Sequence, residues 1–245
     1  MQIPSSPDIT LALPAYNEGQ NIAKVLDDCV AALTELGRSW EILVVDNHSS
    51  DDTAARVREV AARQAGIRLI VHDANRMYSG SCRTAMQEAR GAFIAIMDSD
   101  GQMDPRDLKA FLDQLAGGCG IVFGWRKERH DPLFRLGISL FFNALGRWRL
   151  GFPLHDLNCG IRMFTRAYCD GAEIRHAINM VNPELYVRAR QNHFAIGEVA
   201  VRHRERKAGK TSHDLVKLWK IFQDVDRYMR ALQGDLKASR SDPNP

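Results

Sequence analysis

Four short apolar runs, Ile9 to Leu13, Glu41 to Val45, Ile67 to Val71 and Ala92 to Met97, alternate with stretches whose apolar residues fall at helical spacing. Runs this short and this continuously apolar are buried on both faces, as in a parallel sheet whose crossover helices cover both sides. The intervening helices are expected over Ile22 to Leu36, from about Asp51 with Ser50 as its cap, and over Ser79 to Arg90. Pro105 stands at the favoured first position of a fourth. The expected class is α/β, a mostly parallel sheet flanked by helices, and in such sheets ligands bind outside the carboxyl ends of the strands.

After Gly124 the pattern changes. A long amphipathic stretch, Leu133 to Leu150, is followed by a mixed segment, a helix near Pro183 to Gln191 and a strand near Ile196 to Val201. Asp214 to Leu232 places Leu215, Leu218, Trp219, Phe222, Val225 and Met229 on one helical face, with Lys217, Lys220, Arg227 and Arg230 elsewhere. With 245 residues of which 45% are hydrophobic, one core is the simplest organisation. Residues 1–233 are therefore expected to form one domain, with a ligand-binding half at 8–124, an acceptor half at 125–233 and a disordered tail at 234–245.

The five cysteines, Cys29, Cys82, Cys119, Cys159 and Cys169, lack CxxC spacing, which suits a reducing compartment and argues against a disulfide framework or zinc site. The segment Met1 to Pro7 has no basic stretch leading into an apolar one, unlike a signal peptide. Leu133 to Leu150 is broken by Arg135, Asn143, Arg147 and Arg149, so it is expected to lie on a membrane rather than cross it. A cytoplasmic protein, peripheral at the inner membrane face, fits these features. The net charge of +3 is too small to imply nucleic-acid binding, and the aromatic interleaving of a single-strand binder is missing.

Polar residues fall just past the apolar strands: Asn17 and Glu18, Asp46, then Asp98 and Asp100. Asp98-Ser99-Asp100 delivers two carboxylates from a strand end, oxygen ligands suited to a hard divalent cation, with Gln102 as a third and a pyrophosphate completing the shell. Taken alone, such a pair equally suits loop solvation or the charge at a helix start. Pro14, Tyr16, Asn17 and Glu18 could hold a base or ribose, or simply form a turn and helix cap. Asp46 is placed to accept from a nucleotide, whereas Asp51 reads as a helix-start residue.

The segments LPAYNEG, VVDNHSSDDT, ANRMYSGSCRTA and MDSDGQ stand in the order and spacing of glycosyltransferase family 2. The chain resembles that family from about Ile9 to Ser212, and within it most resembles the polyprenol- and dolichol-phosphate mannosyl- and glucosyltransferases. The resemblance implies a GT-A fold with a Rossmann-like sheet, a GDP- or UDP-linked sugar donor, and inversion at the anomeric carbon. It also implies a cofactor, Mg2+ or Mn2+, held by Asp98, Asp100 and Gln102. Pro14, Tyr16, Asn17, Glu18, Asp46, Asp98 and Ser99 match its nucleotide-sugar pocket, and Arg76 and Gly80 match the segment passing near the nucleotide. Gly80 is small enough to let the backbone approach a ligand. Asn47 and His48 stand where relatives often have Asp-Gly, so the extra negative charge usual there is missing.

In the acceptor half, Arg135 and Ser139 share a helical face and could hold an anion or merely form a solvated basic surface. The resemblance makes Arg126, Arg135 and Ser139 a clamp for an acceptor phosphate. Asp156 to Arg162 resembles the family's DxxSGFR element, with Cys159 in the Ser position and Asn158 beside it. Asn182 and Pro183 suit a helix start, and Glu184 serves equally as a dipole partner or a base. The run from Arg202 to His213 resembles the family's RxxGxS loop, in which Arg206 and Lys210 would neutralise a departing diphosphate. Attack on the anomeric carbon would thus be electrostatically assisted by Asp100-bound metal and by these cations. A polyprenyl phosphate acceptor needs no base. A soluble hydroxyl acceptor, in natural-product or polysaccharide synthesis, would need one, for which Asp156 and Glu184 are candidates. A nucleotide-binding subunit without turnover is a third reading, disfavoured by the intact Asp98, Asp100 and Gln102.

Overall fold

The computed structural model describes residues 6–127, 133–204 and 215–241. Among them the chain alternates β1 (Ile9–Ala15), α1 (Ile22–Glu35), β2 (Trp40–Asp46), α2 (Thr53–Arg63), β3 (Ile67–Val71), α3 (Met77–Glu88) and β4 (Phe93–Met97). A 3-10 turn over Pro105–Asp107 leads into α4 (Leu108–Ala116) and β5 (Ile121–Arg126). Then come α5 (Leu133–Leu150), β6 (Ile161–Thr165), α6 (Arg166–Gly171), α7 (Asn182–Gln191), β7 (Ile196–Val201) and α8 (Leu215–Ser241).

The seven strands form one sheet in the order β3-β2-β1-β4-β6-β5-β7. All neighbouring pairs are parallel except those made by β6, which runs antiparallel to both β4 and β5. Side chains alternate between the two faces, so each strand feeds two cores. On β1, for example, Leu11 and Leu13 enter one cluster with Ile42 and Val44 of β2, while Ala12 joins the other with Leu43 and Val45. These residues are 0% exposed, and each large aliphatic side chain so buried stabilises the fold by about 1.5–3 kcal/mol.

Three expectations change. The mixed segment after α5 contains β6, an inner strand hidden from pattern reading because Arg162 interrupts its apolar run. Neither expected cap acts as one. Asp51, not Ser50, accepts from Thr53 N at the start of α2, at 3.0 Å, and Asn182 lies inside the first turn of α7 with its side chain on the Cys159 carbonyl. Finally, α8 runs to Ser241, so residues 234–241 are helical rather than disordered. Val225, Tyr228, Met229 and Leu232 are buried at helical spacing and Leu236 packs against the same core. Asp235 fixes the extension, pairing with Arg188 at 2.8 Å while its carbonyl accepts from Gln191 at 2.9 Å. Residues 242–245 lie outside the described ones, as do the side chains of Leu215, Leu218 and Trp219.

Candidate functional site

Because β1, β2 and β4 are parallel neighbours, the loops that follow Ala15, Asp46 and Met97 emerge at one edge of the sheet. A cavity of about 470 Å³ opens there, lined among others by Pro14, Tyr16, Glu18, Asp98, Ser99 and Asp100. Six residues singled out from the sequence thus meet around one ligand-sized space. Tyr16 is 50% exposed, leaving an aromatic face free at the rim. Ser99 is buried and donates to the Pro14 carbonyl at 2.8 Å, tying the end of β4 to β1.

The carboxylate pair is electrostatically loaded. Burial first, and then the neighbouring Asp100 charge, push Asp98 up to about 6, while Arg162 and Arg126 pull the other way. Tyr78 donates to Asp98 Oδ1 at 2.6 Å, and Asp100 Oδ1 accepts from Gln102 N at 3.0 Å. Gly160 makes room, since a Cβ there would lie 2.3 Å from Asp98 Oδ2. A divalent cation suits this donor set, because two like charges crowded in a partly buried cleft are relieved by one hard cation. Among the described residues no group of three His, Cys, Asp or Glu could hold a metal, so a bound cation would need further oxygens from its ligand.

Other candidates stand beside the cavity, holding its walls. Asn17 adopts φ +56°; its Oδ1 accepts from Ser50 N at 2.8 Å and its own N–H donates to Ser49 Oγ at 2.9 Å. Asp46 is buried and accepts from the Ser49 hydroxyl and backbone. Arg76 turns outward to Asp73 at 2.7 Å. The close approach that Gly80 permits is to Arg76, whose Cβ would lie 2.5 Å from a Cβ at Gly80. Gln102 directs its amide nitrogen to His203 Nε2 at 3.2 Å and the Arg204 carbonyl at 3.4 Å, and it is absent from the cavity lining.

Several lining residues were given no role in the sequence reading, among them Asn75, Tyr78 and Asn179, whereas Ser81 belongs to the turn around Gly80 matched to the nucleotide segment. Asn47, noted only for the charge it lacks, is a hub. Its Nδ2 donates to Asn75 Oδ1 at 3.1 Å and the Met77 carbonyl at 3.2 Å, and its Oδ1 accepts from Arg76 N at 2.9 Å. His72 Nδ1 lies 3.0 Å from the same Oδ1, which can only accept, so Nδ1 carries the proton and Nε2 accepts from Thr84. Burial and the Arg76 charge lower the His72 pKa, in keeping with a neutral ring.

On the acceptor side, Arg126 makes a two-pronged pair with the buried Asp156, Nε to Oδ2 at 2.7 Å and Nη2 to Oδ1 at 3.1 Å. Asp156 therefore serves as a carboxylate partner for Arg126, and Asn158 N donates to it at 3.2 Å. Ser139 is buried on α5. The side chain of Arg135, and Arg206 and Lys210, lie outside the described residues. Glu184 is 0% exposed and occupied elsewhere: it accepts from Arg175 N at 2.7 Å, His176 N at 3.3 Å and Arg188 Nη2 at 3.1 Å. Those partners give it a structural duty.

Known proteins share this architecture. Glucosyl-3-phosphoglycerate synthase from Mycobacterium tuberculosis, solved with phosphoglyceric acid, superposes with a TM-score of 0.70 at 19% identity over 93% of this chain and 80% of that one. Its complex with Mn2+, UDP and phosphoglyceric acid gives 0.69 at 21% identity, covering 93% and 79%. In sequence, the chain is 27% identical over 223 residues to dodecaprenyl-phosphate galacturonate synthase of Rhizobium johnstonii, covering 90% of this chain and 66% of that protein. It is 29% identical over 221 residues to undecaprenyl-phosphate 4-deoxy-4-formamido-L-arabinose transferase of Sodalis glossinidius, covering 89% and 66%. The chain thus spans slightly less than two thirds of the length of these relatives. Residues 10–171 match the family described as "Glycosyl transferase family 2", a span that holds Asp98, Asp100 and all of the cavity lining given above except Asn179, and the chain belongs to that family.

Proposed function

We propose that this chain transfers a sugar from a nucleoside diphosphate to a polyprenyl phosphate at a membrane face, with inversion at the anomeric carbon. The observation that carries the reading is the meeting of Asp98 and Asp100 with the β1 and β2 loops around one cavity at the carboxyl edge of the sheet. In this reading Asp98 and Asp100 hold the divalent cation, Mg2+ or Mn2+. The cation, when bound, neutralises charge on the departing diphosphate. Tyr16 offers its exposed ring to the base, and Arg126, already near enough to lower Asp98, brings positive charge to the acceptor side. A phosphate monoester has a second pKa of about 6 and is largely ionised at neutral pH, so no side chain need remove a proton from it. That agrees with Asp156 and Glu184 both being committed to arginines.

The lipid acceptor is supported by the names of the sequence relatives, both of which specify a polyprenyl phosphate. It is supported independently by α5. Gly137, Leu140, Phe141, Ala144 and Trp148 fall on one face of that helix and are exposed, Trp148 to 74%, with exposed Arg147 beside them. An apolar stripe edged by a cation suits the boundary between headgroups and acyl chains. Among the described residues no helix is long and apolar enough to cross a membrane. A second reading, a soluble acceptor, is favoured by the structural neighbour solved with phosphoglyceric acid.

The two separate in one assay. UDP release from a panel of UDP-sugars is measured with undecaprenyl phosphate in detergent, with undecaprenol, and with 3-phosphoglycerate. The expected result is release stimulated by the lipid phosphate alone. Stimulation by 3-phosphoglycerate, or equal stimulation by the uncharged lipid, overturns the proposed acceptor.

A further inference from the structure

Arg162 is a buried cation that the proposed reaction leaves unexplained. It is 1% exposed on β6, opposite Ile96 of β4, and strand alternation sends it toward α3 and α7. Among the described residues its hydrogen-bond partners are all neutral: the Tyr78 hydroxyl, Cys82 Sγ at 3.3 Å and Asn182 Oδ1 at 3.3 Å, and its Nε has none. A guanidinium buried without a counter-charge is costly, and such a residue persists where a negative charge compensates it. Here the charge is reached through one atom, because the Tyr78 hydroxyl that touches Arg162 also touches Asp98 Oδ1, at 2.6 Å.

The direction of that relay is fixed by chemistry. A guanidinium can only donate, so the Tyr78 oxygen accepts from Arg162 and its single proton must point at the Asp98 carboxylate. The Arg162 carbon also lies 5.3 Å from the centre of the Tyr78 ring, holding the phenol from its face. On the far side Gly160 leaves space for Asp98 Oδ2, so the carboxylate is pinned at one oxygen and accommodated at the other.

We propose that Tyr78 and Arg162 are positioning residues that orient the Asp98 carboxylate for a divalent cation through one directed hydrogen bond. The inference rests on the reading of Asp98 and Asp100 as cation ligands. Neither residue needs to touch the cation, and Tyr78→Phe removes the relay while keeping the ring that lines the cavity.

The test reads metal binding without turnover, as free Mn2+ measured by electron paramagnetic resonance in the presence of UDP. Tyr78→Phe is expected to bind Mn2+ about 10- to 100-fold more weakly than the unaltered protein, the usual cost of losing an outer partner of a metal ligand. Cys82→Ala disturbs the same guanidinium without removing the hydroxyl, and it is expected to keep the unaltered affinity. Equal binding by the unaltered protein and Tyr78→Phe overturns the relay alone, as does an equal loss in Cys82→Ala, which would make the effect one of packing. An unaltered protein that binds no Mn2+ overturns the cation reading and the relay with it.

Discussion

Asp100→Ala is expected to lower kcat/KM for sugar transfer by about 10³-fold, the loss of roughly 4 kcal/mol of charge stabilisation at the departing diphosphate. The change should leave the melting temperature almost untouched. Asp100 is only partly buried, its side chain accepts from the Gln102 N–H at 3.0 Å, and its removal relieves the repulsion that helps raise Asp98. Catalytic loss without structural loss separates a cation ligand from a loop-solvating carboxylate, and UDP release across a range of Mn2+ concentrations measures it. Near-normal turnover in Asp100→Ala would remove the carboxylate pair from the chemistry.

The opposite outcome is expected at Glu184. Its carboxylate receives two backbone N–H groups and the Arg188 guanidinium, and both side chains are buried. Glu184→Ala orphans those donors and leaves Arg188 with Asp235 as its remaining carboxylate, a loss of about 3 kcal/mol in unfolding free energy. Turnover per folded molecule should be unchanged. Urea unfolding and active-site titration together check both halves. A stable but inactive Glu184→Ala would restore the role of base that its sequence position also allows.

These two carboxylates show how far residue order carries. Asp100 was legible because it follows a continuous apolar strand, and strand ends in parallel sheets face ligands. Glu184 was ambiguous because a helix start explains an acidic residue as well as an active site does, and only its partners decide. The same distinction applies to Asn17 and Asp46. The pattern places both at the correct sheet edge, but whether such side chains enter the cavity or brace neighbouring loops depends on contacts across more than 30 positions for Asn17 and on a local turn for Asp46. The parallel strands were readable from their apolar runs, whereas β6 was not, since one inward arginine breaks its signature. Tyr78 stayed hidden for a related reason. It sits in a segment marked by small residues that suit close backbone approach, and nothing in its surroundings points to Arg162, 84 positions away. The segment from Gly234 onward read as a disordered tail, yet tertiary contacts of Asp235 and Leu236 carry α8 through it.

The central claim is that the cation and the diphosphate are held together at the end of β4. Calorimetric titration of UDP into the protein, once with Mn2+ and once with a chelator, tests it most directly. The expected result is saturable binding at one site with Mn2+ and an affinity at least about tenfold lower without it, a difference of at least about 1.4 kcal/mol. An affinity for UDP that is the same in chelator as in Mn2+ would contradict it.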